Sequence, residues 1–334
     1  MSLIAGYLLL AMLTIYSTQK ASHFINELDK KTAISGALIG GVVLASVTSL
    51  PELITSLTAT VGLDNPGLAF GNVFGSNMFN LLILAVVDLI FIRHYFYNQT
   101  NSGIKTSGLI LVMYAIFIMP LVLMLFTSLG YTSFDMSWLG TVSLLSVAIL
   151  IVYVFAIRAM GEELPPEKPE GGSRHSLKAI IWQFMFWAVL VIVSAYFITV
   201  VTDRLAIRYQ LSASFAGAIF LGVATSLPEL TAVITLFKLR NYAVALGGIL
   251  GSSVFNMMII SLVDVVYLKD SIYRDFTHDV ALLQNISLLL ILGFINSIIV
   301  LVALKRKPTH HTWWYAAPSI TIIVSYIIYI AFSV

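Results

Sequence analysis

The stretch Thr48-Ser49-Leu50-Pro51-Glu52-Leu53 returns unchanged as Thr225-Ser226-Leu227-Pro228-Glu229-Leu230, at an offset of 177 residues. Each copy lies deep in apolar sequence, where a charged side chain costs about 2.5–3.5 kcal/mol on insertion scales and marks a functional position by default. A second pair follows: Gly75-Ser76-Asn77-Met78-Phe79-Asn80 matches Gly251-Ser252-Ser253-Val254-Phe255-Asn256 at an offset of 176, which Asp88 and Asp264 share. The slip from 177 to 176 assigns one gained or lost residue to the turn around Asp64-Asn65-Pro66, opposite Arg240-Asn241. Six identical residues, a proline and a glutamate among them, are too many for coincidence, so the two halves repeat one another.

Outward from these motifs the chain stays apolar. Of 334 residues, 59% are hydrophobic and 10% charged, against about 45–50% and 25% in soluble domains. No soluble core of this size hides that much apolar surface. A soluble enzyme, a nucleic-acid binder and a disordered chain are excluded, and a net charge of +2 suggests no polyanionic partner. The absence of cysteine rules out disulfides, thiol catalysis and thiolate metal sites. The start, MSLIAGYLLLAMLTIY, lacks a basic n-region and a small-residue cleavage site, and is expected to be a retained first span.

A membrane helix needs about 20 apolar residues. That window predicts ten spans, near 1–19, 33–62, 66–92, 104–127, 136–160, 178–202, 212–237, 242–268, 280–304 and 313–333. Long uniform runs, rather than short alternating ones, argue against a β-barrel. With the N-terminus outside, 14 of the 18 basic residues fall in inside loops, leaving Arg204, Arg208, Lys269 and Arg274 outside. Both termini are therefore expected outside. Residues 161–177, rich in Pro and Gly, form an expected cytoplasmic linker between repeats 1–160 and 178–334. Five spans per half is an odd number, so the second half must enter the membrane upside down. The expected fold class is an all-α integral membrane protein with ten transmembrane helices as two inverted five-helix repeats. Such repeats put a transport site at the midplane, where broken helices meet.

Thr48 and Ser49 stand four and three residues before Glu52, so all three are expected on one helix face. Pro51 and Pro228 each remove a backbone donor, which frees carbonyls near Val47 and Ala224. Ser76 with Asn80, and Ser252 with Asn256, add hydroxyl and amide oxygens at helical spacing, with interhelical hydrogen bonding as their alternative use. Gly71 and Gly75, like Gly247 and Gly251, form small-xxx-small patterns expected to serve packing. Every donor offered is a hard oxygen, suited to Ca²⁺ or Na⁺ and not to zinc or copper. All six histidines fall in expected loops or span ends, against a zinc site or a Ser–His hydrolase. Two carboxylates balance one Ca²⁺, two monovalent cations or two protons. Asp88 and Asp264, five residues before Arg93 and Lys269, are expected to be interfacial acids beside a base, with a cation-concentrating vestibule as the alternative. Trp138, Trp313, Trp314 and Tyr315 are expected interfacial anchors.

Two copies of T-S-L-P-E-L, each followed by G-[NG]-x-x-G-S-x-x-F-N on the next helix, resemble the α-repeats of the Ca²⁺:cation antiporter superfamily. The similarity is greatest to compact prokaryotic sodium/calcium exchangers and is dense over about 40–80 and 217–260. The resemblance implies that Glu52 and Glu229 are central Ca²⁺ ligands shared with Na⁺ or H⁺, and that the carbonyls of Thr48 and Thr225 complete that site. It further implies that Ser49, Ser226, Ser76 and Ser252, with the carbonyls of Ala45 and Gly222, line flanking Na⁺ sites. Asn80 and Asn256 would stand at the central position, and spans one and six would be a long sliding pair. Several relatives carry Asp where Asn256 stands, notably potassium-dependent ones, so K⁺ coupling is not expected. The short linker leaves no room for a large regulatory domain. The function so implied is a secondary active antiporter, not an enzyme, that exchanges Ca²⁺ for Na⁺ by alternating access in the cell (plasma or inner) membrane. No cofactor is expected. The partners are inorganic cations and the lipid bilayer, with no nucleic acid and no protein partner implied. An H⁺/Ca²⁺ exchanger on the same fold is the alternative, and a cation channel is the alternative of another class.

Overall fold

The computed structural model describes residues 3–32, 46–100, 102–128, 143–163, 176–269, 271–273, 279–309 and 311–333. Its long elements are all helices, as apolar segments in a bilayer must satisfy their backbone groups internally. They are α1 (Leu3–Thr32), α2 (Leu50–Leu57), α3 (Pro66–Ile90), α4 (Ile104–Ser128), α5 (Leu144–Glu163) and α6 (Leu177–Tyr209). There follow α7a (Ala213–Thr225), α7b (Leu227–Lys238), α8 (Tyr242–Val266), α9 (Val280–Lys305) and α10 (Thr312–Ser333). Seven of the described helices are long and apolar enough to cross a membrane, and the bent pair α7a–α7b makes an eighth. α1 runs on to Thr32, well past the expected end at 19, and so takes His23 out of a loop onto an exposed helical face. The polar run Ser17-Thr18-Gln19-Lys20 dilutes its apolar character. Parts of the expected spans 33–62 and 136–160, most of the linker 161–177, Ala45 and Trp138 lie outside the described residues.

α3 and α8 form the centre: buried residues make up 72% and 78% of their most apolar stretches, against 28–44% in the other spans. The outer helices turn Val112, Met119, Ile151, Phe155, Phe186 and Ile327 outward, as a lipid-facing belt requires. α1 and α6 lie along one another. Their buried faces carry small or hydroxyl side chains: Ala11, Thr14, Ser17, Thr18 and Ala21 on α1, and Ala188, Ser194, Ala195, Thr199 and Thr202 on α6. Thr14, Thr18, Ser194 and Thr199 bond back to carbonyls of their own helices, not across the seam.

Segments that the charge count groups on one side meet one another. Asn98 donates to the Thr309 carbonyl at 2.8 Å, and the Ser102 hydroxyl to the Glu163 carbonyl at 3.0 Å. Glu163 also caps the start of α4, accepting from the backbone of Lys105 and Thr106 at 2.6 and 3.2 Å. On the opposite grouping, Asp64 accepts from the Tyr267 hydroxyl at 2.5 Å and pairs with Lys269 at 3.4 Å, while Asn65 donates to Asp203 at 3.1 Å. The Tyr267 hydroxyl, helped by the Lys269 charge, holds the Asp64 carboxyl below its ordinary range.

The repeat slips inside a helix, not in the turn. Asp64 and Arg240 adopt the same left-handed conformation, with φ of 57° and 58°, so the two turns are equivalent. The extra residue of the first half is taken up by a π-helical turn, Thr58–Gly62, that follows α2. There the amides of Leu63 and Asn65 reach the carbonyls of Thr58 and Ala59. In the second half those of Leu239 and Asn241 reach Thr235 and Leu236, each spanning one residue fewer. A π-turn is how an α-helix absorbs a single insertion without unwinding.

Backbones touch where α3 crosses α7a. A Cβ added at Gly71 would lie 2.0 Å from the Ser214 carbonyl oxygen, and one at Gly75 would lie 2.4 Å from Ala218 Cα. Gly217 and Gly222 of α7a answer from the other side, against Leu68 and Ser76. These glycines serve close packing, as expected.

Asp88 and Asp264 are fully buried, and neither meets the base expected from its spacing; Asp88 instead has Arg306 near it. Asp88 accepts from the Tyr315 hydroxyl at 2.5 Å and the Ser319 hydroxyl at 2.6 Å, both on the first turns of α10. Asp264 accepts from the Ser143 amide at 2.8 Å, with the Ser146 hydroxyl beside it, at the start of α5. Each acid at the end of a central helix thus holds the N-terminus of a helix from the other half, where negative charge is favoured. Tyr315, expected as an interfacial anchor, is instead buried on Asp88, while Trp313 and Trp314 are exposed. Lys269 turns to Asp64 because the end of α8 draws Asp264 inward.

Two predictions follow from this packing. Gly75→Val should wedge α3 from α7a and lower thermal stability by about 1–3 kcal/mol or more. Gly248→Ala, at a position with nothing within 4 Å, should leave stability unchanged or raise it. Equal losses would overturn the close-approach argument. Asp88→Leu strands two buried hydroxyls and should destabilise by about 1–3 kcal/mol. Asp88→Asn, which keeps an acceptor, should lose less, as read by thermal unfolding in detergent.

Candidate functional site

The helix breaks at both copies of the repeated motif. Ser49 (φ −90°, ψ 11°) and Ser226 (φ −90°, ψ 4°) leave helical geometry in nearly the same way, and a new helix starts immediately after each. Pro51 and Pro228 fall at its second position, where a missing N–H does no harm. The chain bends by 44° between α7a and α7b. Glu52 and Glu229 follow in the first turns of α2 and α7b, where exposed amides and the helix dipole stabilise negative charge. Each carboxylate also accepts from its own backbone N–H. In a continuous helix that amide would serve the carbonyl of Thr48 or Thr225.

Both glutamates are buried, at 0% and 4% exposure, and close enough for their charges to repel. Each takes a partner from the opposite half, and Glu229 a second one from its own. Glu52 Oε1 accepts from the Ser226 hydroxyl at 3.3 Å, and Thr225 also bonds this carboxylate. Glu229 Oε1 accepts from the Ser252 hydroxyl at 3.0 Å, and Thr48 bonds it from across the site. Ser49 meets Ser252, hydroxyl to hydroxyl, at 2.8 Å. Thr48 and Ser49, expected to share a face with Glu52, find their partners in Glu229 and Ser252 of the other half. The break turns each Thr-Ser pair away from its own glutamate and toward the other.

Ser76 donates to the Gly222 carbonyl at 3.3 Å, an acceptor at the end of the π-helical turn Gly217–Gly222. Asn80 is fully buried, with neither end of its amide hydrogen-bonded, and Asn256 donates to Asn77 Oδ1 at 3.1 Å. The second oxygens of Glu52 and Glu229 and Oδ1 of Asn256 are likewise buried without a hydrogen bond. Ala45 lies outside the described residues. Thr48, Ser49, Thr225, Ser226 and Ser252 meet around Glu52 and Glu229 and Ser76 reaches Gly222, whereas no hydrogen bond ties Asn80 or Asn256 to either glutamate.

Two asparagines were not assigned a role from sequence. Asn72 Nδ2 lies 2.8 Å from Thr55 Oγ1, 2.9 Å from Ser56 Oγ and 3.2 Å from the Glu52 carbonyl, fastening α3 to α2 beneath the glutamate. Its signal was present in the i, i+4 stripe Asn72–Ser76–Asn80. Asn77 has no such periodicity, and its contacts are set only by the crossing of α3 and α8.

Chemically this is an anionic oxygen cage. No group of three or more His, Asp or Glu side chains occurs among the described residues, so the donors beyond two carboxylates are hydroxyls, amides and carbonyls. Neither glutamate has a basic partner there. Two buried, unpaired carboxylates are strongly unfavourable until positive charge arrives as a cation or as protons.

Known proteins share this organisation. The inner membrane protein YrbG of Escherichia coli (strain K12) is 24% identical over 259 residues, 75% of each chain. The putative antiporter CaxA of Alkalimonas amylolytica is 26% identical over 257 residues, 74% of this chain and 75% of that one. Among solved structures, the H⁺/Ca²⁺ exchanger CAX matches with a TM-score of 0.70 at 17% identity, over 100% of this chain and 87% of that one. The sodium-calcium exchanger NCX_Mj matches with a TM-score of 0.56 at 21% identity, over 98% and 97%. Sequence matches to the sodium/calcium exchanger protein family cover residues 2–157 and 179–334, two blocks that each contain one broken helix and one of the two buried site glutamates. This chain is a multi-pass membrane protein and belongs to the sodium/calcium exchanger protein family.

Proposed function

We propose that this protein is a secondary antiporter that exchanges Ca²⁺ for Na⁺ across the cell membrane by alternating access. It does so with ten spans in two inverted five-helix repeats, residues 1–160 and 178–334, joined by a cytoplasmic linker at 161–177, and with both termini outside. One observation carries the reading: two buried glutamates lie close together at equivalent helix breaks, each bonded by a Thr or Ser of the other half and Glu229 also by Ser252 of its own, with no basic partner in the described residues. Family membership and the likeness to exchangers support it.

Glu52 and Glu229, with the carbonyls of Thr48 and Thr225, take Ca²⁺ as substrate. The Ser49–Ser252 pair, Ser226, and Ser76 with the Gly222 carbonyl supply neutral oxygens for Na⁺ at the flanks, and Asn80 and Asn256 stand between. Ca²⁺ and Na⁺ compete because both need the same two carboxylates ionised. The empty pair resists passage through a closed, dry intermediate, since unpaired charge there is expensive. Only a loaded site switches, which makes exchange obligatory without a chemical step. The α1–α6 pair, whose buried hydroxyls are mostly satisfied within each helix, is suited to sliding past the centre.

Proton coupling is the second reading. It is favoured by the same two carboxylates, which bind protons as readily as cations once buried. Radioactive Ca²⁺ uptake into proteoliposomes separates the two. Uptake should follow an outward Na⁺ gradient and ignore a pH gradient; the reverse would assign proton coupling, and uptake with neither would remove Ca²⁺ as substrate.

Glu52→Gln and Glu229→Gln should each abolish exchange while leaving the protein folded. Ca²⁺ at a hundred times its Kd should stabilise the wild type by about 2.7 kcal/mol, read as a rise in unfolding temperature lost on chelation. The Gln variants should show no rise. Normal exchange in either variant would overturn the site assignment.

A further inference from the structure

Asn77 sits on α3 behind the proposed cation site, buried, with its amide engaged at both ends. Nδ2 donates to the backbone carbonyl of Ser253 at 3.3 Å, and Oδ1 accepts from Asn256 Nδ2 at 3.1 Å. The two bonds are logically linked. A backbone carbonyl can only accept, so Asn77 must turn its nitrogen to Ser253 and its oxygen to Asn256. Asn256 must then answer with its own nitrogen. Its oxygen is left facing elsewhere, fully buried and without a hydrogen bond. Ser252, one helical turn earlier on α8, bonds Glu229, so Asn256 shares the side of α8 that meets the glutamates.

Among the described residues, no other group bonded to Asn77 makes this choice. On its far side lies a cavity of about 10 Å³, lined by Ser107, Tyr114, Ser253 and Ser297 among apolar neighbours, about the room of one water molecule. The Tyr114 hydroxyl fits there because α9 carries Gly293, where a Cβ would lie 2.4 Å from it. Hydroxyls donate or accept equally well and would tolerate either end of the amide. The Ser253 carbonyl alone discriminates. The device is also one-sided. The position equivalent to Asn77 in the second half is Ser253 itself, and Asn80, the counterpart of Asn256, has an amide with no hydrogen bond at all.

We propose that Asn77 is a positioning residue: through the Ser253 carbonyl it fixes the Asn256 amide with its oxygen toward the cation site, making Asn256 a neutral oxygen ligand of defined orientation. The inference rests on the antiport reading of the Glu52–Glu229 site.

The test is the Ca²⁺ dependence of uptake into proteoliposomes for wild type, Asn77→Ala, Asn256→Ala and the double variant, with thermal unfolding measured beside it. Each single change should raise the Ca²⁺ concentration for half-maximal uptake about five- to tenfold, as loss of one positioned hydrogen-bonding group does, with less change in maximal rate. The double variant should be no worse than Asn256→Ala, since the residues act as one unit. Asn77→Ser, the residue the second half carries at this position, should behave as Asn77→Ala and replaces it if alanine does not fold. Effects that multiply, or a lowered unfolding temperature with unchanged half-saturation, would overturn the proposal. A wild type without gradient-driven Ca²⁺ uptake would overturn instead the antiport reading beneath it.

Discussion

Two carboxylates buried in the middle of a membrane protein, close enough to repel and with no basic partner among the described residues, are the constraint on which the rest of this structure depends. Such a pair cannot be tolerated in continuous helix surrounded by hydrocarbon. The fold meets it with local polarity rather than counter-charge. Each helix breaks at Ser49 or Ser226 and restarts, so that Glu52 and Glu229 fall in a first turn where amides and helix dipole favour an anion. Hydroxyls complete the set, from the opposite half at Glu52 and from both halves at Glu229. These groups hold the carboxylates without neutralising them, which leaves their charge available to an arriving cation.

Because the partners cross between halves, neither motif is complete alone. The central helix α8 must approach both breaks closely enough for Ser252 to reach Ser49 and Glu229, and α3 must nest on α7a. Glycine makes that possible at Gly71 and Gly75, where the neighbour is backbone and not a movable side chain. Asp88 and Asp264 secure the far ends by fastening α10 and α5 across the same divide. The polar interior and the small-residue crossings therefore serve one purpose, which is to keep two half-sites in register.

The halves are equivalent but not identical, and the differences gather at the site. The first half carries the extra residue in the π-turn Thr58–Gly62, Asn72 against Gly248, and Asn77 against Ser253. Asn72 anchors α2 beneath Glu52, whereas the glycine at the equivalent position of α8 leaves Glu229 without that fastening. An exact two-fold arrangement would give two equal carboxylates. The substitutions distinguish them, so the two glutamates meet an ion from unlike surroundings.

Much of this was legible in sequence. The repeat, the two glutamates, their serines and the apolar spans all follow from residue identity and spacing, because burying a charge in hydrocarbon is so unfavourable that its position alone is informative. The glycine stripes foretold close packing for the same kind of reason. What sequence could not reveal was which groups face each other. Spacing along one helix placed Thr48 and Ser49 on the face of Glu52, but it could not reveal their partners, Glu229 and Ser252 of the other half. The offset change suggested a turn, but a π-helix absorbs an insertion without altering composition. Charge spacing tied Asp88 to Arg93 and Asp264 to Lys269, but burial gave both acids to helix starts far along the chain. For the Thr-Ser pairs and the two aspartates the decisive contact joins residues more than a hundred positions apart, and only the crossing of helices brings them together.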